Sequence, residues 1–555
     1  MTAIESFDYV VVGGGSAGCV VAARLAEEGD GSVLLLESGQ SGYENPEVLS
    51  ADGFKLAFAN DATMWDRMSA PQADCGNRRI YAGSGKGLGG SGSVNGMVYT
   101  RGDRLDFEQW PANWQWDDVA PCFDALEQRL DIHRRGPSEF TTAAISAAQG
   151  VGFAQKDGLN DGDLCGYIGY NDMNYRDQER RSSYTAYIHG REAELPRLTI
   201  RTQCVAQRIL FDQQRKAVAV EYLQDGVLHT ANIGREIVLT AGAIETPKLL
   251  MVSGVGPRGE LAKFGIPVVY ESPAIGDNLQ DHPSVCVFYK GKKPVDFHYP
   301  QVYGFHRVNP SLELPEGQAD TCFVLLSLGS VLKYTLLRMV PIMALPGSLY
   351  RSRWLKAALR GLVRLVFKLP AANRYASKVY GLVVILGKPV SRGAVHLSSS
   401  DPAEPAVLDL AYYRDSRDMD TMIAGVQRVT QMAEQAGLRA WGNDLMSKTA
   451  ESTDRHRVEK WIKSGTITVF HFSGTCAMGE SDGSPVDTRL RVRGLGNVRV
   501  ADASTIPVVP VSALNAPSMM IGYRAAGFIL GEQATSGVQH SESAIPDSGR
   551  QEFTV

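Results

Sequence analysis

The sequence predicts an α/β fold whose first domain is built on a parallel sheet, and three observations lead there. Residues 9–12 (YVVV) are a short apolar, β-branched run, the kind that suits a strand buried on both faces. The turn Gly13-Gly14-Gly15-Ser16-Ala17-Gly18 follows at once and opens a helical pattern with Val20, Val21, Leu25 and Ala26 on one side. A second apolar run, residues 32–36 (SVLLL), ends on Glu37, 19 residues after Gly18.

These parts compose a Rossmann-like unit, and each has a chemical reason. Gly13 permits the tight turn, Gly15 lets backbone approach a pyrophosphate, and Gly18 lets helix and strand pack closely. Ser16 and Ala17 stand in the first helical turn, whose free N–H groups and dipole favour an anion. Glu37 is placed to accept a ribose 2′-hydroxyl, and its charge argues against the 2′-phosphate of NADP. The expectation is a bound adenine dinucleotide.

The bulk numbers bound the rest. A chain of 555 residues exceeds one ordinary core, so two domains are expected. The net charge of −5 gives no reason to expect nucleic acid. Eight scattered cysteines form neither a CxxC pair nor a zinc spacing, so no metal site is expected and reduced thiols fit a cytoplasmic compartment. The start carries no basic, apolar leader, and no run of about 18 apolar residues exists to span a membrane.

Further motifs follow in order. They are Gly85-Lys-Gly-Leu-Gly-Gly-Ser-Gly-Ser-Val-Asn-Gly-Met-Val98, then Gly242-Ala-Ile-Glu-Thr-Pro-Lys248, Asn278-Leu-Gln-Asp-His282, His471-Phe-Ser-Gly-Thr-Cys476, Val500-Ala-Asp-Ala-Ser504 and Asn515-Ala-Pro-Ser518. Together they resemble the glucose–methanol–choline (GMC) oxidoreductases, from about residue 7 to about 530, with a weaker match between about 290 and 385. The resemblance implies a Rossmann-like FAD-binding domain assembled from 1–45, 80–120, 195–285 and 480–533. It also implies an α+β substrate-binding domain on an antiparallel sheet, from 46–79, 121–194 and 286–479. By position, Gly13, Gly15, Ser16, Ala17, Gly18 and Glu37 would hold the ADP part, and Val205 would meet the adenine. Gly89, Gly90, Asn95, Gly96, Met97 and Val98 would lie along the flavin, and Asp502 and Ala503 near the pyrophosphate and flavin. Some family members tether the flavin to a histidine; the matching residue is Val94, so FAD is expected to be non-covalent.

Oxidising an alcohol to a carbonyl removes a hydroxyl proton and a carbinol hydride. The hydride goes to flavin N5, and the protein supplies a base and a donor for the developing alkoxide. The resemblance places these at His471 (general base) and Asn515 (hydrogen-bonding partner). His282 is read as structural, at the domain junction, and Cys476 as a small buried residue without an activating neighbour. The expected activity is that of a GMC-type, FAD-dependent alcohol dehydrogenase, with oxygen-using oxidase as the alternative. A non-redox lyase or decarboxylase and an inactive flavin scaffold are disfavoured by the intact His471–Asn515 pair.

One stretch stands apart. Residues 321–400 contain no aspartate or glutamate and 12 lysines and arginines. Within them, residues 354–369 read as an amphipathic helix with Lys356, Arg360, Arg364 and Lys368 four residues apart. Leu355, Leu359, Leu362, Val363 and Val366 fall on another side. A basic face beside an apolar, Trp354-led face suits an anionic membrane surface. The alternatives are a buried helix of the substrate domain or a docking helix for a partner. The first reading gives the basic insert 330–378 a peripheral contact at the inner face of the membrane, with a lipophilic or aromatic alcohol as substrate and quinone as acceptor. The run 379–387 reads as a buried strand, and the helical spacing of Met422, Val426, Val429 and Met432 as core. The polar tail 537–555 is expected to be disordered.

Overall fold

The computed structural model describes residues 5–345, 347–350 and 352–542. In chain order, the elements that build the site begin with β1 (Glu5–Val12), α1 (Ser16–Glu28), β2 (Val33–Leu36) and α2 (Phe54–Ala59). Next come β3 (Tyr167–Tyr170), β4 (Leu198–Arg201), β5 (Cys204–Phe211), β6 (Ala217–Gln224), β7 (Val227–Leu239) and α3 (Gly242–Val252). The middle of the chain gives β8 (Pro283–Lys290), β9 (Val302–His306), β10 (Thr321–Ser327), α4 (Leu328–Ala344), α5 (Arg353–Val366) and β11 (Val379–Leu386). The C-terminal part adds β12 (Val498–Val500) and α6 (Asn515–Glu542).

The first sheet runs β4-β2-β1-β7-β6-β5, with β12 also on β7. Its parallel centre pairs Tyr9–Val12 of β1 with Val33–Leu36 on one side and with Glu236–Leu239 on the other. That centre is why the β1 and β2 runs are uniformly apolar: Val10, Val11, Leu34 and Leu35 are fully enclosed between flanking helices. The N-terminal half of β7 joins β6 and β5 as an antiparallel meander at one edge. Helix α1 covers the sheet with every residue from Ala17 to Ala26 buried, and packs along α6.

A second sheet is antiparallel through β8-β11-β10-β9-β3. The run expected as a buried strand is β11, and the helix of Met422, Val426, Val429 and Met432 turns those four into the core beneath it. Helix α6 extends to Glu542, past the point where the sequence places the start of a disordered tail; residues 543–555 lie outside the described residues.

The insert differs from its sequence reading in orientation. Lys356 and Arg360 of α5 do not form an outward basic face; both turn inward to Asp61, at 2.7 and 2.6 Å. Arg338 of α4 is fully buried between Asp66 and Asp61. The acids missing from 321–400 are thus supplied by the loop after α2, a pairing that residue spacing within the insert does not reveal. Outward, α5 presents Trp354, Leu362, Leu365 and Val366 to solvent.

Candidate active site

A cavity of about 1250 Å³ lies between the two sheets. The chain builds its dinucleotide end from glycine. Gly13 has φ +107°, and a Cβ there would stand 2.6 Å from the Thr240 carbonyl oxygen, so only glycine makes this turn. A Cβ on Gly18 would fall 1.9 Å from the Gly13 carbonyl oxygen, which is the close strand–helix approach. Gly15 opens on the cavity: its nearest neighbour would be 3.8 Å away. No side chain caps the N-terminus of α1, so its first N–H groups remain for an anion.

Glu37 ties this turn to its neighbours. Its carboxylate accepts from the backbone N–H of Gly14 at 2.8 Å, Gly39 at 2.7 Å and Gly87 at 3.0 Å. Three of its four protein bonds fall on Oε1, which leaves Oε2 with Gly14 alone and room for a hydroxyl donor. Asp502 does the same work at α3. It accepts from Gly242 N–H at 2.8 Å and Thr246 Oγ1 at 2.7 Å, and from Ser504 on its other oxygen. Burial pushes the Asp502 carboxyl up in pKa, and these donors pull against that shift.

Most residues expected to hold the cofactor do line this cavity: Gly13, Gly15, Ser16, Ala17, Glu37, Gly90, Asn95, Gly96, Val98, Val205, Asp502 and Ala503. Three do not. Gly18 and Gly89 act behind the wall, Gly89 donating its N–H to the Gly14 carbonyl at 2.7 Å. Met97, expected along the flavin, takes φ +64° and turns its side chain into a small core with Ala51 and Met173. No motif in the sequence points to Arg180. It is fully buried without an acid and clamps the flavin-side loop through Gly92 and Asn95 carbonyls and Asn95 Oδ1, at 2.7–3.0 Å. Burial without a counter-charge lowers its pKa to about 9.

His471 lines the same cavity, and so does Asn515. Asn515 heads α6, and its Oδ1 accepts from Ser16 Oγ at 2.8 Å. A Cβ on Gly92 would stand 2.9 Å from that oxygen. Asn515 is therefore drawn to the glycine turn, and no described hydrogen bond joins it to His471. Against His471 stands His282, read from sequence as structural. The two Nδ1 atoms are 2.9 Å apart and the rings perpendicular, with centroids 5.1 Å apart. The preceding Asp281 fixes the loop that carries the base. Its carboxylate accepts from His471 N–H at 2.7 Å, from Thr468 and from Tyr412. That loop includes Phe470 at φ +66°, a conformation held by its own N–H bond to Thr468 Oγ1 at 2.7 Å.

The two rings constrain each other. Both rings are buried, which disfavours charge: burial lowers His471 to about 4 and His282 well below its ordinary value, with His471 and Lys388 adding to the latter. Two neutral rings sharing an Nδ1···Nδ1 contact need one donor and one acceptor. On the His282 side, the carbonyls of Gly387 and Pro510 favour a proton, though Nε2 makes no bond of regular geometry there. One Nδ1 therefore donates and the other accepts, so the tautomers of the two histidines are coupled. The signal available in the sequence was the polar run Asn278, Gln280, Asp281, His282 at a domain crossing. All four bond segments of the site: Asn278 and Gln280 both reach the Pro507 carbonyl, and Asp281 and His282 both meet His471. Cys476 is buried with its thiol pKa raised by burial, as expected of an inert packing residue.

A glycine cradle on a parallel sheet, facing a neutral histidine across one cavity, fits a dinucleotide-dependent oxidoreductase. Comparison with known proteins makes this specific. The N-terminal GMC oxidoreductase family model matches residues 7–284 and the C-terminal one residues 389–522. The chain belongs to the GMC oxidoreductase family, and its cofactor is FAD. It is 33% identical over 565 residues to an oxygen-dependent choline dehydrogenase of Shigella flexneri serotype 5b, covering 96% of each chain. Its fold resembles pyridoxine 4-oxidase from Mesorbium loti (TM-score 0.79, 26% identity, 94% of this chain and 98% of that one). Formate oxidase from Aspergillus oryzae RIB40, solved in a study of FAD modification, gives a TM-score of 0.81 at 23% identity, over 96% of this chain and 100% of that one. The span between the two family models contains β9, β10, α4, α5 and β11, the region of weak motif resemblance.

Proposed function

We propose that this protein oxidises an uncharged, lipophilic or aromatic alcohol to its aldehyde or ketone, with His471 as general base. The observation that carries it is His471, its Nδ1 held against His282, lining an apolar cavity shared with the FAD cradle. FAD, when bound, supplies the acceptor for the carbinol hydride. The substrate hydroxyl passes its proton to His471 Nε2, and the resulting imidazolium is held by its Nδ1–H bond to His282. Asn515, whose Oδ1 is held by Ser16, keeps its amide N–H as the donor for the developing alkoxide. Val94, which has no nucleophile, leaves FAD untethered.

The cavity walls support an uncharged substrate. Aromatic rings such as Phe58, Trp65 and Phe470 line the cavity, but a quaternary ammonium such as the choline of the relatives' name would also call for a free carboxylate beside them. The carboxylates here are engaged: Asp66 by Arg338, Tyr81 and Tyr350, and Glu245 by Arg67 at 2.8 Å and Lys248 at 3.4 Å. Lys55 lies in the same wall. A quinone is the proposed acceptor and oxygen the alternative. The test is anaerobic flavin reduction across short, long-chain and aromatic alcohols and choline, followed by reoxidation with air or a quinone. Reduction by long-chain or aromatic alcohols is expected. Reduction by choline alone would refute the substrate class.

A further inference from the structure

The exposed side of α5 has the chemistry of a lipid contact. Trp354, Leu362 and Leu365 are 71%, 58% and 60% exposed, on one outward arc of the helix. Met343, at the end of α4, is 80% exposed, and Leu369, just beyond α5, is 57% exposed. Patches of this kind on a soluble surface mark an interaction site. Arg353, Arg364, Lys368 and Arg374 border the arc, exposed and without an ion pair among the described residues. Their inward counterparts, Lys356 and Arg360, are neutralised by Asp61, so the outward bases carry the patch's charge. No described helix is long and apolar enough to cross a membrane, so the patch would lie on a bilayer rather than span it.

Position adds a second argument. Helix α4 packs against both α5 and α2. Its inner side (Leu328, Val331, Leu332) and Phe54 and Phe58 of α2 line the cavity. An aromatic chain, Phe58–Tyr81–Phe470 with centroids 6.1–6.4 Å apart, connects α2 to the residue before His471. The outward patch and the inner cavity wall are two sides of one helical layer.

We propose that α5 and the adjoining end of α4 dock this protein on an anionic phospholipid surface, apolar arc in the acyl boundary and flanking bases on the headgroups. This places the α2–α4 wall at the lipid face, where a lipophilic alcohol enters the cavity directly from the bilayer. The entry route rests on the alcohol-oxidation reading; the docking does not.

The test uses the FAD-loaded full-length protein and two extruded vesicle types, phosphatidylcholine alone and phosphatidylcholine with phosphatidylglycerol. At low salt the protein is expected to co-sediment with the anionic vesicles, less so as salt shortens the screening length. The double variant L362E/L365E, both positions exposed, is expected to keep its flavin and bind anionic vesicles roughly tenfold more weakly or less. It should retain flavin reduction by a short soluble alcohol and lose it for a long-chain alcohol presented in vesicles. Wild-type protein that stays in the supernatant overturns the docking, as does a double variant that binds like wild type. A dimer in solution, broken by the same variant and indifferent to vesicles, would assign the patch to a second copy and overturn it too. Vesicle binding without flavin reduction by any alcohol would leave the docking standing and remove the substrate reading.

Discussion

His471 and His282 form a unit in which each ring decides where the other keeps its proton. Removing the base in His471→Ala should lower the rate of flavin reduction by about 10²- to 10⁴-fold with FAD still bound. Retained activity in that variant would dismiss it as the base. His282 is a positioning residue. In His282→Ala, His471 loses its Nδ1 partner, and flavin reduction should slow by roughly tenfold or more with a displaced pH profile. A structural role alone would lower stability and leave that profile in place. With burial holding His471 at about 4, the base stays unprotonated from neutral pH down towards that value, so flavin reduction should hold its plateau across that range. Stability runs with the opposite emphasis. The unfolded chain protonates both histidines near their ordinary value of 6.5, whereas the folded chain resists until about 4 at His471 and until well below 6.5 at His282. The unfolded state therefore binds more protons in that window, and stability falls as pH drops from 6.5 towards 4. Thermal unfolding of His282→Asn should show a shallower fall over the same range.

At the scale of elements, α2, α4 and α5 are bound together by one acid. Burial pushes the Asp61 carboxyl up, but hydrogen bonds and charge from Arg360 and Lys356 outweigh it and hold the pKa at about 2. Its contribution is complete above the ordinary carboxylate value and is lost as pH falls through about 2. Asp61→Asn leaves Lys356 and Arg360 facing inward without their acceptor. Because the carboxylate is partly exposed, the expected cost is about 1–3 kcal/mol rather than that of a fully buried pair. Limited proteolysis should then cut first near α5, while the Rossmann-like sheet remains intact. Equal protection of α5 in the variant would show that the apolar contacts of Val363 and Leu337 hold it alone.

For the whole molecule, the cofactor cavity lies between the two sheets, so occupancy couples them. The glycine cradle belongs to the first sheet, and His282 sits at the start of β8 in the second. A ligand that binds only the folded state stabilises by about 2.7 kcal/mol at 100 times its dissociation constant. Stripping FAD should therefore lower the midpoint of thermal unfolding, and added FAD should restore it in a concentration-dependent way. A midpoint insensitive to added FAD would mean that the cradle does not hold it.

How much of this was legible from residues alone depends on range. Uniformly apolar runs, a glycine that no Cβ could replace and an acid at the next strand's end are local constraints. They determined the Rossmann-like unit and the class of cofactor, because the covalent chain itself sets that spacing. Contacts between distant segments carry no such spacing. That Met97 turns into core, that Asn515 answers to Ser16 499 positions away, and that His282 stands against His471 were settled by packing. The basic row of α5 is the clearest case. Periodicity found its helix, but which side faces water was decided by Asp61, which lies about 300 residues earlier and draws two of the four bases inward. The reason is electrostatic: charges taken partly out of water must find a counter-charge, and only the tertiary structure brings one.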